Sequence, residues 1–339
     1  MPHLKVQTAT GNVLFNYVIS TPDSENAQNI DPSLPTILFL HPVYVSAVMF
    51  HNQFASPRLR RFNLVGVDAR CHGNTVGPVP PTARRAEVAE DVSKFIEALK
   101  LPRCHIVGVS MGACVALQMA VAHPEQVLST FMISPLPLVE PDDVASGRQE
   151  IYDCWVAGRK NDNPDEDAML DAVLGAVQLG FNQSNESIVS ALVQYTLPQA
   201  IKNWSPENFG AFHTVSVDFF VDRKPHDLAQ LRQIECPVHL VHCGGDVAYP
   251  LHYVEELRSR LASAGLQPRL SQVKDAPHFG NVTHSEEIND LLHDWVMEHS
   301  DGPIPRAKSF VKSPFADELA KCGLRQNGES DSEDDLVPL

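Results

Sequence analysis

Five short, almost uninterrupted apolar runs set the terms on which this chain can fold. Thr36-Ile37-Leu38-Phe39-Leu40, Asn63-Leu64-Val65-Gly66-Val67, His105-Ile106-Val107-Gly108-Val109, Val127 to Ile133 and Pro237-Val238-His239-Leu240-Val241-His242 have strand length and carry many β-branched residues. Between them, Arg84 to Ala98 shows helical spacing at Val88, Val92, Phe95 and Ile96, and Met111 to His123 reads as a helix stopped at Pro124. Strands that are apolar on both faces and alternate with helices predict an α/β fold, a mostly parallel sheet flanked by helices. Val13 to Ile19 reads as an earlier strand and Arg269 to Val273 as a later one. Helices are expected from about Tyr253 to Ala264 and from Ser285 to near Glu298.

The alternation is interrupted once. From about Leu138 to Lys224 the pattern offers no buried strand, only helix-like stretches: Asp165 to Phe181, Ile188 to Leu197 and Phe209 to Val221. Almost ninety residues of helix between two sheet strands predict an inserted helical cap, or lid, over 138–227. The α/β core is then 1–137 and 228–301. The plainer alternative is a second helical domain unrelated to any site. Beyond Gly302 come Pro303, Pro305 and Pro314, then the run Glu329-Ser330-Asp331-Ser332-Glu333-Asp334-Asp335, so residues 302–339 are expected to form a disordered acidic tail.

Composition narrows the function classes. The 339 residues can bury a large core without disulfide or metal staples. Lys and Arg total 26 against 42 Asp and Glu, a formal charge of −16, which argues against nucleic acid or an anionic membrane surface as partner. No apolar run approaches the roughly 20 residues of a membrane span. Met1-Pro2-His3-Leu4-Lys5 does not open like a secretory signal, and the seven cysteines are scattered without C-x-x-C spacing. A reduced, cytoplasmic protein is expected. The acidic tail leaves open a protein partner.

Chemistry concentrates at Gly108-Val109-Ser110-Met111-Gly112. A G-x-S-x-G string arises by chance in roughly one chain in ten of this size, so its context carries the weight: a strand before and a helix after, as a nucleophile elbow requires. The serine needs a base, and the base needs an orienting acid. His278 lies in a loop after the last strand, where it can reach back over the sheet. His105, His123, His284 and His293 sit on or beside predicted elements and read as structural. Asp246, in Cys243-Gly244-Gly245-Asp246, follows a strand on the same edge. Glu140, Asp142 and Asp275 compete for the acid role. The oxyanion donors expected are the Met111 amide and, in His41-Pro42-Val43-Tyr44, the Val43 amide with Tyr44 in reserve, because Pro42 has no N–H.

These motifs, in this order from about Val13 to His299, resemble the α/β-hydrolase family of esterases, enol-lactonases and C–C hydrolases. His41-Pro42 stands where that family usually has His-Gly, and Asp68-Ala69-Arg70-Cys71-His72-Gly73-Asn74-Thr75 is similar to its D-x-R-G-H-G-x-S, with Cys71 replacing a glycine. The resemblance implies that Asp68, Arg70 and His72 hold a loop together. Serine at the elbow sets the chain apart from the dehalogenases and epoxide hydrolases of this fold, which carry aspartate there.

No G-x-G-x-x-G, P-loop or metal-ligand spacing occurs, so no cofactor or metal is expected. The sequence reading is a serine hydrolase acting through Ser110, His278 and Asp246 on a small-molecule ester or lactone. Trp155, Phe181, Trp204, Phe209, Phe212, Phe219 and Phe220 in the cap would suit an apolar substrate. C–C bond cleavage by the same triad, and a non-catalytic receptor or scaffold on the same fold, are the alternatives.

Overall fold

Among the described residues the sheet has eight strands in the order β1-β2-β4-β3-β5-β6-β7-β8. They are β1 (His3–Thr8), β2 (Gly11–Ser20), β3 (Thr36–Leu40), β4 (Asn63–Val67), β5 (Cys104–Val109), β6 (Val127–Ile133), β7 (Val238–Cys243) and β8 (Arg269–Val273). The computed structural model describes residues 2–160 and 164–325. β1 and β2 pair antiparallel, β2 joins β4 antiparallel, and every pairing from β4 to β8 is parallel. Every residue of β3, β4, β5 and β7 is buried, as a strand covered on both faces requires. Successive residues serve opposite layers: Leu38 and Leu40 join one buried cluster, Ile37 and Phe39 the other.

Among the described residues, thirteen α-helical segments surround the sheet: α1 (His51–Phe54), α2 (Arg85–Leu99), α3 (Met111–Ala122), α4 (Asp142–Arg159), α5 (Glu166–Phe181), α6 (Ser187–Asn203), α7 (Phe209–His213), α8 (Phe219–Val221), α9 (Leu228–Leu231), α10 (Leu251–Ser263), α11 (Gly280–Thr283), α12 (Ser285–Glu298) and α13 (Ala316–Lys321). Residues of α2, α3 and α10 fill one layer and those of α1, α11 and α12 the other. The expected strands and core helices are present. β1 and α1 went unanticipated; β1 alternates exposed with buried residues at the sheet edge and so lacks the continuous apolar signal.

Between β6 and β7 the chain is helical. α4 was not individually expected, and α7 passes into α8 through π-helical turns at Thr214–Asp218. Trp155, Trp204, Phe212 and Phe220 from this segment share one buried cluster with Leu40 and Met111 of the sheet region. No helix among the described residues is long and apolar enough to cross a membrane.

The expectation of disorder from residue 302 needs correction as far as residue 325. Val311, Phe315 and Leu319 are buried, and Leu319 N donates to Phe315 O at 3.0 Å, so the last two share one side of a helical turn. Phe315 meets Phe54 of α1 edge to face at 5.4 Å, and α13 packs on α6. Arg60 Nη1 donates to Lys312 O at 2.8 Å. The prolines suggest an open chain, but Phe315 and Leu319 join the buried cluster that holds Phe54 of α1. The run Glu329–Asp335 lies outside the described residues. Phe315→Ala should therefore destabilise by about 3 kcal/mol, as fully buried aromatics do, and truncation after Asp301 should lower the melting temperature by several degrees. A calorimetric scan of truncated protein superimposing on that of the full chain would contradict this packing.

Candidate active site

Ser110 occupies the junction of β5 and α3 with φ 53° and ψ −110°, a backbone conformation rare for a residue with a side chain. Two glycines make the junction possible. A Cβ on Gly108 would lie 2.2 Å from Gly112 O, and one on Gly112 would lie 2.0 Å from Leu40 O. Without side chains there, α3 lies directly on the backbones of β3 and β5. The Ser110 amide donates to Ile133 O at 3.0 Å, which pins the turn to β6. The Ser110 hydroxyl is buried and has no hydrogen-bond partner.

The fold brings Asp246 and His278 together. His278 Nδ1 lies 2.5 Å from Asp246 Oδ2, with both side chains buried. Asp246 Oδ1 accepts from the amides of Ala248 and Tyr249, each at 3.0 Å. The carboxylate thus has one oxygen tied to its own loop and the other facing the imidazole. This arrangement puts the proton on Nδ1 and leaves Nε2 as an acceptor; Nε2 is buried and unpartnered, like the Ser110 hydroxyl. The His278 carbonyl accepts from Ser134 Oγ at 2.6 Å, and its ring packs against Tyr249 and Phe279. The competing acids are elsewhere. Asp142 opens α4, Asp275 is exposed beside Lys274, and Glu140 is held by two arginines.

Met111 is the first residue of α3, so its N–H has no intrahelical acceptor. In the loop after β3, Tyr44 adopts φ 72°, which turns the chain just beyond Val43. His41 braces that loop: its Nε2 accepts from Ala69 N at 2.9 Å and its Nδ1 donates to Pro42 O at 2.7 Å. Asp68 accepts from Ala47 N at 2.9 Å, Asn74 N at 3.0 Å and Asn16 Nδ2 at 2.6 Å, and Arg70 forms a bidentate pair with Asp91. Cys71 takes the left-handed conformation, φ 63°, where the resembling motif has glycine. His105 bonds Ser129 and Ser300, and His293 meets Arg58 and Arg61, away from the serine.

An apolar pocket, partly open to solvent, lies against this region. Tyr44 and Phe279, chain neighbours of Val43 and His278, form part of its wall. Trp155, Phe181, Trp204 and Phe212 from the helical segment form another. Phe209, Phe219 and Phe220 do not reach it. Hydrogen bonds join the helical segment to the loops around the site, among them Phe279 N to Gly180 O at 2.8 Å, Asn182 Nδ2 to Gly245 O at 2.7 Å, and Trp204 Nε1 to Cys71 O at 2.8 Å. Among the described residues no group of three His, Cys, Asp or Glu side chains is placed to hold a metal.

Sequence reasoning missed a buried polar cluster beside the histidine. Glu140 Oε1 accepts from Arg148 Nε at 2.7 Å and from the Tyr249 hydroxyl at 2.8 Å, and its Oε2 accepts from Arg223 Nη2 at 2.8 Å. Arg148 Nη2 donates to the Tyr249 hydroxyl at 2.9 Å. The two arginines hold the Glu140 carboxyl below its ordinary pKa, against burial, which acts to raise it. Arg148 and Arg223 lie 8 and 83 residues from Glu140, and no spacing in the sequence pairs them.

The model of the alpha/beta hydrolase family matches residues 37–291. A mouse (Mus musculus) sn-1-specific diacylglycerol lipase is 32% identical over 119 residues, 34% of this chain and 38% of the lipase, so the match spans well under half of that relative. Among solved structures, a thermophilic esterase from Thermogutta terrifontis is similar with a TM-score of 0.68 at 13% identity, covering 88% of this chain and 100% of the esterase. The enol-lactonase from Burkholderia xenovorans LB400 gives 0.62 at 16%, covering 87% and 100%. At these identities the two structures speak for the fold alone.

The buried histidines carry a pH dependence. Burial lowers His41, His51 and His105 to about 4, and His72, His226 and His239 to about 3. Unfolded, each would titrate near 6.5. Below that pH the unfolded chain binds protons that the folded chain refuses, so stability is full above about pH 6.5 and falls as the pH drops toward 4. Asp68 and Asp91, raised by burial, act in the opposite sense, two groups against six. The melting temperature should fall between pH 7 and pH 5; a flat profile across that range would refute the burial of these neutral imidazoles.

Proposed function

The chain belongs to the alpha/beta hydrolase family, and on that premise we propose that it is a serine hydrolase cleaving a small, largely apolar carboxylic ester or lactone. The observation that carries the reading is the buried Asp246–His278 pair on the same sheet edge as the strained elbow. It leaves His278 Nε2 and Ser110 Oγ as two unpartnered polar atoms. Catalytic hydrogen bonds are often long before substrate arrives.

In this mechanism Ser110 Oγ attacks the carbonyl carbon while His278 Nε2 takes its proton. Asp246 holds the imidazole by Nδ1 and stabilises the imidazolium that forms. The amides of Met111 and Val43, with Tyr44 in reserve, receive the oxyanion, aided by the positive end of α3. Collapse expels the alcohol, protonated by His278, and leaves an acyl-serine. Water, deprotonated by the same histidine, then releases the acid. The helical segment 138–227 acts as a lid: it walls the cavity and is tied to the loops bearing Asp246 and His278, so substrate enters where aromatic side chains exclude water. No cofactor has a part in these steps.

Ser110→Ala and His278→Ala should each lower kcat for an activated short-chain ester by roughly 10⁴-fold or more, because residues that act as a unit fail together. Asp246→Asn should leave a measurable remainder. Wild-type rates in Asp246→Asn with loss in Asp142→Asn would show the acid misassigned.

A fluorophosphonate should label the folded protein at Ser110 alone: Ser129 and Ser300 also bond a histidine, but they occupy both ring nitrogens of His105, which leaves it no orienting carboxylate. Mass spectrometry locates the adduct. Folded protein that resists labelling, and whose ester rate equals that of Ser110→Ala, would overturn the hydrolase reading in favour of a non-catalytic receptor.

A further inference from the structure

Arg148 is among the most deeply buried large side chains in the protein, about 1% exposed, yet its guanidinium is incompletely used. Nε and Nη2 are bonded to Glu140 and Tyr249, and the flat face lies 3.5 Å over the Phe220 ring. Nη1, equally buried, has no partner. The Tyr44 hydroxyl is also buried and unpartnered. The two belong together: the guanidinium draws the Tyr44 phenol down in pKa, while burial dominates and raises it. Two buried donors, one of them charged, lie together with no acceptor beyond the phenol oxygen itself.

The charges around them do not balance. In the cluster one carboxylate, Glu140, faces two guanidinium groups, Arg148 and Arg223. Arg85, from α2, acts on Arg223 with the same sign. The other carboxylate nearby, Asp246, is occupied by two backbone amides and His278. A desolvated surplus of positive charge is unfavourable unless an anion completes it.

Position supplies the rest. Arg148, Ile151 and Trp155 stand at i, i+3 and i+7 on one face of α4, and Ile151 and Trp155 line the apolar cavity together with Tyr44. On the opposite side Tyr249, bonded to Arg148, packs its ring 5.1 Å from the ring of His278. Tyr44 thus stands in the cavity wall, and Arg148 is linked through Tyr249 to the ring that packs on His278.

We propose that Arg148 Nη1 and the Tyr44 hydroxyl form a subsite for a carboxylate of the substrate. The enzyme then takes esters or lactones whose acyl part bears a free carboxylate a few bonds from the scissile carbonyl and an apolar remainder in the cavity. This deepens, and rests on, the hydrolase reading above. A guanidinium N–H and a phenol O–H offer a carboxylate two directed, charge-assisted hydrogen bonds. A neutral ester leaves both donors unmatched, and specificity follows from that mismatch.

The test compares 4-nitrophenyl hydrogen glutarate with 4-nitrophenyl valerate, which differ chiefly in a terminal carboxylate. Wild type should favour the glutarate ester by at least about tenfold in kcat/KM, mainly through KM. Tyr44→Phe, which removes one oxygen, and Arg148→Lys, which keeps the charge but loses the fork, should each cut that preference about tenfold. If Arg148→Lys does not fold, as circular dichroism would reveal, Tyr44→Phe decides. Separately, calorimetry should detect glutarate binding to Ser110→Ala protein and its weakening when Tyr44→Phe is added. Ser110-dependent turnover with no preference for the carboxylated ester, or a preference untouched by Tyr44→Phe, overturns the subsite and leaves the hydrolase reading standing. If neither ester is turned over, that reading falls, and the calorimetry alone decides whether the pair binds a carboxylate.

Discussion

The backbone approach at the elbow is the constraint on which the remaining geometry rests. With no side chain at Gly112, α3 touches the carbonyl of Leu40, and with none at Gly108 the strand leads into the helix without a clash. That contact brings the start of the loop after β3, Leu40 and His41, to the amino end of α3. It also forces Ser110 into a conformation that costs on the order of 1–3 kcal/mol, held by its amide bond to Ile133 and by the packing of α3 on β5 and β6. The hydroxyl is lifted out of the helix as a consequence.

Around that point the helical segment between β6 and β7 does more than cover a surface. Its chain reaches the acid loop through Asn182, the histidine loop through Gly180 and the Asp68 loop through Trp204. Movement of the end of α5 would be felt at Asp246 and His278, because the same backbone groups that close the cavity also brace the loops. The carboxyl-terminal segment adds a further tie, with Phe315 and Leu319 set between α1 and α6.

The polar interior is organised around Glu140. Buried ion pairs of this kind rarely add net stability, but breaking one by removing a partner is costly. Here the cluster joins the loop after β6, helix α4, Arg223 and the Tyr249 loop in one set of bonds, beside the histidine ring. Asp246 and Glu140 are each a carboxylate past the end of a strand. Arginines hold Glu140, while the Gly244-Gly245 turn, through its bonds to Val273 and Ala276, carries Asp246 to His278.

The sequence by itself determined the sheet, its parallel character and the elbow. Continuous apolar strands, helical spacing and a glycine-flanked serine are local patterns whose periodicity reflects burial directly. It also singled out Asp246 and His278, since loops at strand ends in a parallel sheet gather on one edge. Only the tertiary structure decided how those residues meet, that Val311, Phe315 and Leu319 dock despite their proline-rich setting, and that Arg148 lies buried with an unmatched donor. Those outcomes depend on contacts between residues tens to hundreds of positions apart. A side chain's partner across such distances is set by the packing of whole elements, and no local spacing encodes it.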